Sequence, residues 1–266
     1  MQKLLGQEHL FDIFDKLATD KIGLPKTMLF LGETGCGKHT LTNYVAERFG
    51  LTLTDVTKTL TPDIITDLYI SALPCIYLID LSNFVEKQQN QFLKFIEEPP
   101  SFANIILLAE SELGVLPTIL NRCTKYRFNP YTADTLKRLY PKITEDIVFK
   151  ICKTPGQVKD VNQEQVLHLY DMCLGIIRQA DRAKLGDFMQ LCKMINYKEE
   201  YDKFDFWQFL KALPLAAFDV YYQDNNDRAL TVYAEVSRKI NAMMNRTVSK
   251  EAFVTNLLID IWEITH

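Results

Sequence analysis

Hydrophobic and polar positions follow two different rhythms along this chain. The first half holds three short, continuous apolar runs: Thr27–Leu31 (TMLFL), Cys75–Asp80 (CIYLID) and Asn104–Ala109 (NIILLA). Runs this short, bounded by turn-forming residues, predict strands buried on both faces. Between them the spacing becomes helical, with Leu10, Ile13, Phe14 and Leu17 inside 7–19, then Leu41–Phe49, then Phe84–Glu97. The last of these is expected to stop at Glu98-Pro99-Pro100, because proline removes a helix donor and clashes with the preceding turn. Strands alternating with helices over residues 1–128 predict a parallel sheet covered on both faces, an α/β fold.

After Pro130 the strand signal disappears and helical spacing takes over at about 133–139, 145–153, 163–179 and onward to Trp262. The two halves are different architectures. From Gln163 to the end there are 12 Lys and Arg against 15 Asp and Glu, so the helical half is mildly acidic. Neither an internal repeat nor a low-complexity linker interrupts the pattern.

The chain has 266 residues, of which 47% are hydrophobic and 24% charged, as in ordinary globular proteins. No stretch approaches the ~18 consecutive apolar residues of a membrane span. The opening MQKLLGQEHLFDIFDKL is amphipathic and carries acids early, which is not the layout of a signal peptide. Six scattered cysteines (Cys36, Cys75, Cys123, Cys152, Cys173, Cys192) form no C-x-x-C pair. They read as small buried hydrophobes in a reducing, cytoplasmic setting, and no zinc is expected. A net charge of −4 argues against a protein that coats nucleic acid by itself, although a local basic patch is compatible with it.

Candidate chemistry begins where the first strand ends, at Gly32-Glu33-Thr34-Gly35-Cys36-Gly37-Lys38-His39-Thr40. Its spacing fits the G-x-x-x-x-G-K core of a phosphate-binding loop. Glycines let the backbone wrap an anion, the following helix N-terminus adds a favourable dipole, and Lys38 would reach the β and γ phosphates. The bland alternative is a tight strand-to-helix turn with an exposed lysine. His39 stands where a Ser or Thr hydroxyl would bind Mg²⁺, and imidazole is a poor ligand for that hard ion. Thr40 has a hydroxyl but is turned by roughly 100° around the helix, so it is no simple substitute.

Asp80 ends the second apolar strand, the expected place for an acid that contacts magnesium; a strand-end cap is the alternative. The next position, where a hydrolytic motor has a water-orienting Glu, is Leu81, which can do neither base nor orienting work.

Longer segments carry a resemblance. Asp80-Leu-Ser-Asn-Phe, followed by Gln-Asn-Gln-Phe-Leu-Lys-Phe-Ile-Glu-Glu-Pro-Pro100, resembles a pattern in which a magnesium-site Asp precedes "aqNaLLKtlEEPp". Leu116-Pro-Thr-Ile-Leu-Asn-Arg-Cys123 is similar to "LLpTIlSRC", Leu5-Gly6-Gln7-Glu8 to "iiGQe", and Thr154-Pro-Gly-Gln-Val158 to "GsPGrA". Together and in this order they resemble AAA+ clamp-loader subunits, specifically the bacterial DNA polymerase III delta-prime group. The resemblance implies an AAA+ α/β domain at 1–128, a small helical lid at 129–162 and an all-helical collar at 163–266 that packs against partner subunits. Stripes such as Phe206, Trp207, Phe209 and Leu210 are more often intramolecular core than interface, so the packing against partners rests mainly on the resemblance.

The same resemblance implies a structural and regulatory subunit of a ring-like hetero-oligomer that places a sliding clamp on primed DNA. Its partners would be other clamp-loader subunits, with clamp and primer-template DNA reached through the assembly. It also implies that Arg122 points out of its own subunit as an arginine finger for a neighbour's nucleotide; the alternative is a surface ion pair. Four hydrolytic parts depart from the family: His39, Leu81, Gln157 in place of the Arg of "GsPGrA", and a sensor region at Ala109, Glu110 and Ser111 without a clear Thr or Asn. The family's four-cysteine zinc insertion is missing from the short connection Leu51–Pro74. Weak binding of ATP or ADP, little use for Mg²⁺ and no hydrolysis are therefore expected. An ATP-hydrolysing motor subunit is the alternative within the family, to be recognised by turnover of the isolated protein. A small-molecule phosphotransferase built on the loop is disfavoured by the absence of an arginine-rich lid. The acidic charge disfavours a DNA-binding adaptor working alone.

Overall fold

A computed structural model describes residues 3–59, 65, 68–69, 73–180, 182, 184, 186–188, 190, 206–243 and 249–266. Cys192 lies outside them. Contacts cluster into two compact units, one of residues 1–140 with 153–159 and one of 141–152 with 160–266. The segment 129–162, expected as a lid, is thus shared between the two.

The first unit is built on a five-stranded, fully parallel sheet in the order β2-β3-β4-β1-β5. Its strands are β1 (Thr27–Leu31), β2 (Thr52–Asp55), β3 (Cys75–Asp80), β4 (Ala103–Ala109) and β5 (Thr124–Arg127). The three apolar runs are its three central strands, in register Thr27↔Ile105 and Cys75↔Ala103. Alternate residues feed opposite cores. Met28, Phe30, Ile76, Leu78, Ile106 and Leu108 join one cluster, beneath helices α1 (Glu8–Thr19) and α2 (Lys38–Phe49). Leu29, Leu31, Tyr77, Ile79, Ile105 and Leu107 join the other, with Phe92, Phe95 and Ile96 from the helical segment 86–97.

The buried stripe of α1 is Leu10, Phe11 and Phe14, whereas Ile13 is 41% exposed. Phe11 displaces the expected Ile13 because its ring packs on Tyr44 of α2, centroids 4.6 Å apart. The helix expected over Phe84–Glu97 is two, α3 (Glu86–Gln91) and α4 (Leu93–Glu97), separated at the fully buried Phe92. A short α5 (Pro117–Leu120) then begins on Pro117, which suits a first helical turn. Helices α6 (Ala133–Leu139) and α8 (Pro155–Lys159) complete this unit.

The second unit is helical in its described residues, with α7 (Asp146–Ile151), α9 (Gln163–Ala180), α10 (Phe206–Asp224), α11 (Asp227–Met243) and α12 (Lys250–Thr265). Helix α9 buries Val166, Leu169, Cys173, Ile176, Ile177 and Ala180 at helical spacing. In the aromatic stripe of α10, Phe209 and Leu210 are buried core, while Trp207 is 47% exposed. Among the described residues no helix is long and apolar enough to cross a membrane.

Candidate functional site

The phosphate loop leaves the C-terminal end of β1, where the sheet's connections depart to either side, the usual place for a ligand crevice in an open α/β sheet. Gly35 and Gly37 both have positive φ (+82° and +106°), a conformation that other residues adopt only under strain. Gly37 caps α2, whose first residue is Lys38. The Lys38 side chain is almost wholly buried, and its Nζ donates to the loop's own Gly32 and Glu33 carbonyls. The Tyr131 hydroxyl donates to the Cys36 carbonyl at 3.0 Å, and burial pushes its pKa up to about 12. Gln7, from the opening motif, is held by Asn129: its Nε2 donates to the Asn129 carbonyl at 2.8 Å and its Oε1 accepts from the Asn129 N–H at 2.9 Å.

A cavity of about 340 Å³ opens over this loop. That is the lower range of small-ligand pockets. Thr34, Gly35, Cys36, Gly37, Lys38, His39, Thr40 and Asp80 all line it, so the residues singled out in the sequence converge. Gly32 and Glu33 contribute their carbonyls to Lys38 and are not part of the lining. Arg122 is also not part of it.

The substituted positions have definite consequences. His39 Nε2 stands 3.9 Å from Asp80 Oδ2, so an imidazole, a poor ligand for a hard ion, faces the carboxylate. The other oxygen, Asp80 Oδ1, accepts from the Ser82 N–H at 3.0 Å and the Ser82 hydroxyl at 2.6 Å. Asp80 therefore caps the turn after β3 as well as facing the cavity. Leu81 follows the two-residue period of the strand onto the face of Tyr77 and Ile79, where it is buried at 3% exposure. No water-orienting group can act from there. At the sensor position, Glu110 accepts a hydrogen bond from the Thr34 hydroxyl, which places an acid beside the loop. Among the described residues no group of His, Cys, Asp or Glu is arranged to hold a metal ion.

The Thr154-Pro-Gly-Gln turn docks directly on the phosphate loop. Thr154 Oγ1 donates to the Thr34 carbonyl at 2.8 Å and the Gly156 N–H to the Gly35 carbonyl at 2.9 Å. A Cβ at Gly156 would lie 2.6 Å from Gly35 Cα, so only two glycines permit this approach. Gly156→Ala must push backbone from backbone, and overpacking of that kind costs about 1–3 kcal/mol. Gly23→Ala, with nothing within 4 Å of its added Cβ, is the control and should be nearly neutral. Denaturant midpoints of the two variants check this; equal midpoints would mean that the turn is not docked.

Ser82, Pro155 and Gly156, from the quoted segments, also line the cavity, as do Leu4, Tyr140 and Lys159, which were not singled out in the sequence. Leu4, Tyr140 and Lys159 arrive from separate parts of the chain by tertiary packing, which no local spacing signals. Arg122 follows α5. Its Nη1 donates to the Thr118 carbonyl at 2.8 Å, and its Nη2 lies 2.8 Å from Glu97 Oε1 at the end of α4, with both side chains about 40% exposed.

Comparison with known proteins bears on this arrangement. The model of the family described as DNA polymerase III, delta subunit, matches residues 54–132, which include Asp80, the Glu-Glu-Pro-Pro segment and Arg122. No curated protein matches. Among solved structures, a DNA polymerase III gamma subunit-related protein from Thermotoga maritima aligns with TM-score 0.50 and 13% identity, covering 97% of this chain and all of that one. Two variants of RuvB from the same organism align with TM-scores of 0.46 and 0.48 and identities of 16% and 15%. The alignments cover 74% and 82% of this chain, and 72% and 77% of theirs. The family match spans residues 54–132, less than a third of the chain, and the Thermotoga DNA polymerase III gamma subunit-related structure, at TM-score 0.50, shares its fold.

Proposed function

We propose that this chain is a delta-prime-like clamp-loader subunit: it holds nucleotide weakly, does not hydrolyse it, and contributes to chemistry through Arg122 in a neighbour's site. One observation carries the reading. The phosphate loop keeps its glycines and Lys38, while an imidazole faces Asp80 in place of a magnesium-binding hydroxyl and Leu81 is buried where a carboxylate is needed. The acid of Glu110 beside the loop adds repulsion toward a triphosphate. The proposed partners are the motor and clamp-opening subunits of the assembly, with sliding clamp and primer-template DNA engaged through it. In this reading 129–162 acts as a lid and 163–266 as a collar. Exposed Trp207, Phe218 and Tyr222 on α10 support a partner-facing collar, aromatic side chains being enriched at interfaces.

Calorimetric titration of the isolated chain tests the site. ATP and ADP should bind weakly, with affinities that change little when Mg²⁺ is removed by a chelator. Binding should disappear in Lys38→Ala, and phosphate release should stay at background. A Mg²⁺-dependent ATPase that Lys38→Ala abolishes would instead make the chain a motor subunit.

A further inference from the structure

The position at which relatives of the resembled pattern carry a phosphate-contacting arginine is Gln157, and its amide is occupied elsewhere. Gln157 Oε1 accepts from the Lys153 N–H at 2.9 Å, and its Nε2 reaches the Thr34 carbonyl at 3.4 Å. Neutral and tied into the turn, it adds no charge to the cavity. Helix α8 nevertheless presents another cation. Pro155, Gly156 and Lys159 all line the cavity, because Lys159 follows the other two by four and three residues and so shares their helical face. Lys159 is exposed and makes no ion pair with a described residue. The turn that begins its helix is anchored to the phosphate loop by the Gly156-to-Gly35 and Thr154-to-Thr34 hydrogen bonds, which hold Lys159 at the lining of the same cavity as Lys38.

We propose that Lys159 stands in for the missing arginine, contacting the terminal phosphate of a bound nucleoside triphosphate and setting the preference for triphosphate over diphosphate. The proposal rests on the loop being a nucleotide site. An ammonium on a flexible stem can follow a phosphate oxygen as a point charge, without the planar geometry that an arginine at position 157 would need. It also offsets the nearby carboxylates of Glu110 and Asp80, which would otherwise oppose a third phosphate without magnesium.

The test is calorimetric titration of the intact chain with ATP and with ADP, in chelator, for wild type, Lys159→Ala, Lys159→Arg and Gln157→Ala. Lys159→Ala should weaken ATP about tenfold, the scale of one charge-assisted hydrogen bond, and leave ADP within about twofold. Lys159→Arg should retain most of the ATP affinity, Gln157→Ala should not alter the ratio of the two, and the melting temperature of Lys159→Ala should match wild type. Equal affinity of wild type and Lys159→Ala for ATP, or an equal loss for ATP and ADP, overturns the role of Lys159 while leaving the nucleotide site standing. Wild type that binds neither nucleotide overturns the site itself, and Lys159 with it.

Discussion

Arg122→Ala, built into a reconstituted assembly, should cut the turnover of the one motor site that it faces by several powers of ten, roughly 10³–10⁵ where such fingers are known. Clamp loading should fall with it. The chain itself should remain folded: the guanidinium is 40% exposed, and its ion pair with Glu97 is of the solvent-screened kind that contributes about 0–1 kcal/mol. Arg122→Lys should rescue poorly, because an ammonium lacks the planar fork that grips two phosphate oxygens. Glu97→Gln leaves the guanidinium in place and should keep turnover near wild type. Steady-state ATPase and clamp-loading assays on assemblies carrying each variant check this. Undiminished ATPase with Arg122→Ala would make the arginine a surface ion-pair residue and the subunit a passive spacer.

Phe30→Ala should be the most damaging single core truncation, at about 3–5 kcal/mol. Phe30 is fully buried in β1, with Phe14, Tyr126 and Phe128 arranged edge-to-face around it at 5.9, 5.7 and 6.5 Å. Deleting the ring removes burial and all three edge contacts, and leaves a void directly beneath the strand that feeds the phosphate loop. Against a typical total of about 5–15 kcal/mol, a loss of that size removes much of the stability of the unit. Phe30→Leu should cost distinctly less. Denaturant midpoints followed by near-ultraviolet circular dichroism measure both. A shift worth less than about 1 kcal/mol for the alanine variant would show that the cluster collapses around the hole.

Strands flanked by core on both faces are plain in the sequence, since Thr27–Leu31, Cys75–Asp80 and the run ending at Ala109 have no polar face to conceal them. The edge strands are not. In Thr52–Asp55 no residue is fully buried, and in Thr124–Arg127 only Tyr126 is, so neither shows an apolar run. Their placement comes from pairing with β3 and β1. The break at Phe92 likewise has no Pro or Gly to mark it. At the site, the loop, His39, Asp80 and Leu81 are legible because strand–loop–helix order fixes what each position faces. The bond from Thr34 to Glu110, the docking of Gly156 on Gly35 and the arrival of Lys159 are not, since each joins residues far apart in the chain.

The burial of Leu81 bears on how such a chain can change over generations. A glutamate placed at that position would put a carboxylate among Tyr77, Ile79 and Phe92, where an ionised group costs several kcal/mol or stays protonated and useless. On the proposed reading of a non-hydrolysing site, Leu81→Glu therefore lowers stability before it yields any activity. It also yields none alone, because His39 must change as well before a magnesium ion has a hydroxyl to bind. On that reading, a descendant of this protein with turnover would have to cross a valley at least two substitutions wide, so selection could keep the loop for its shape alone.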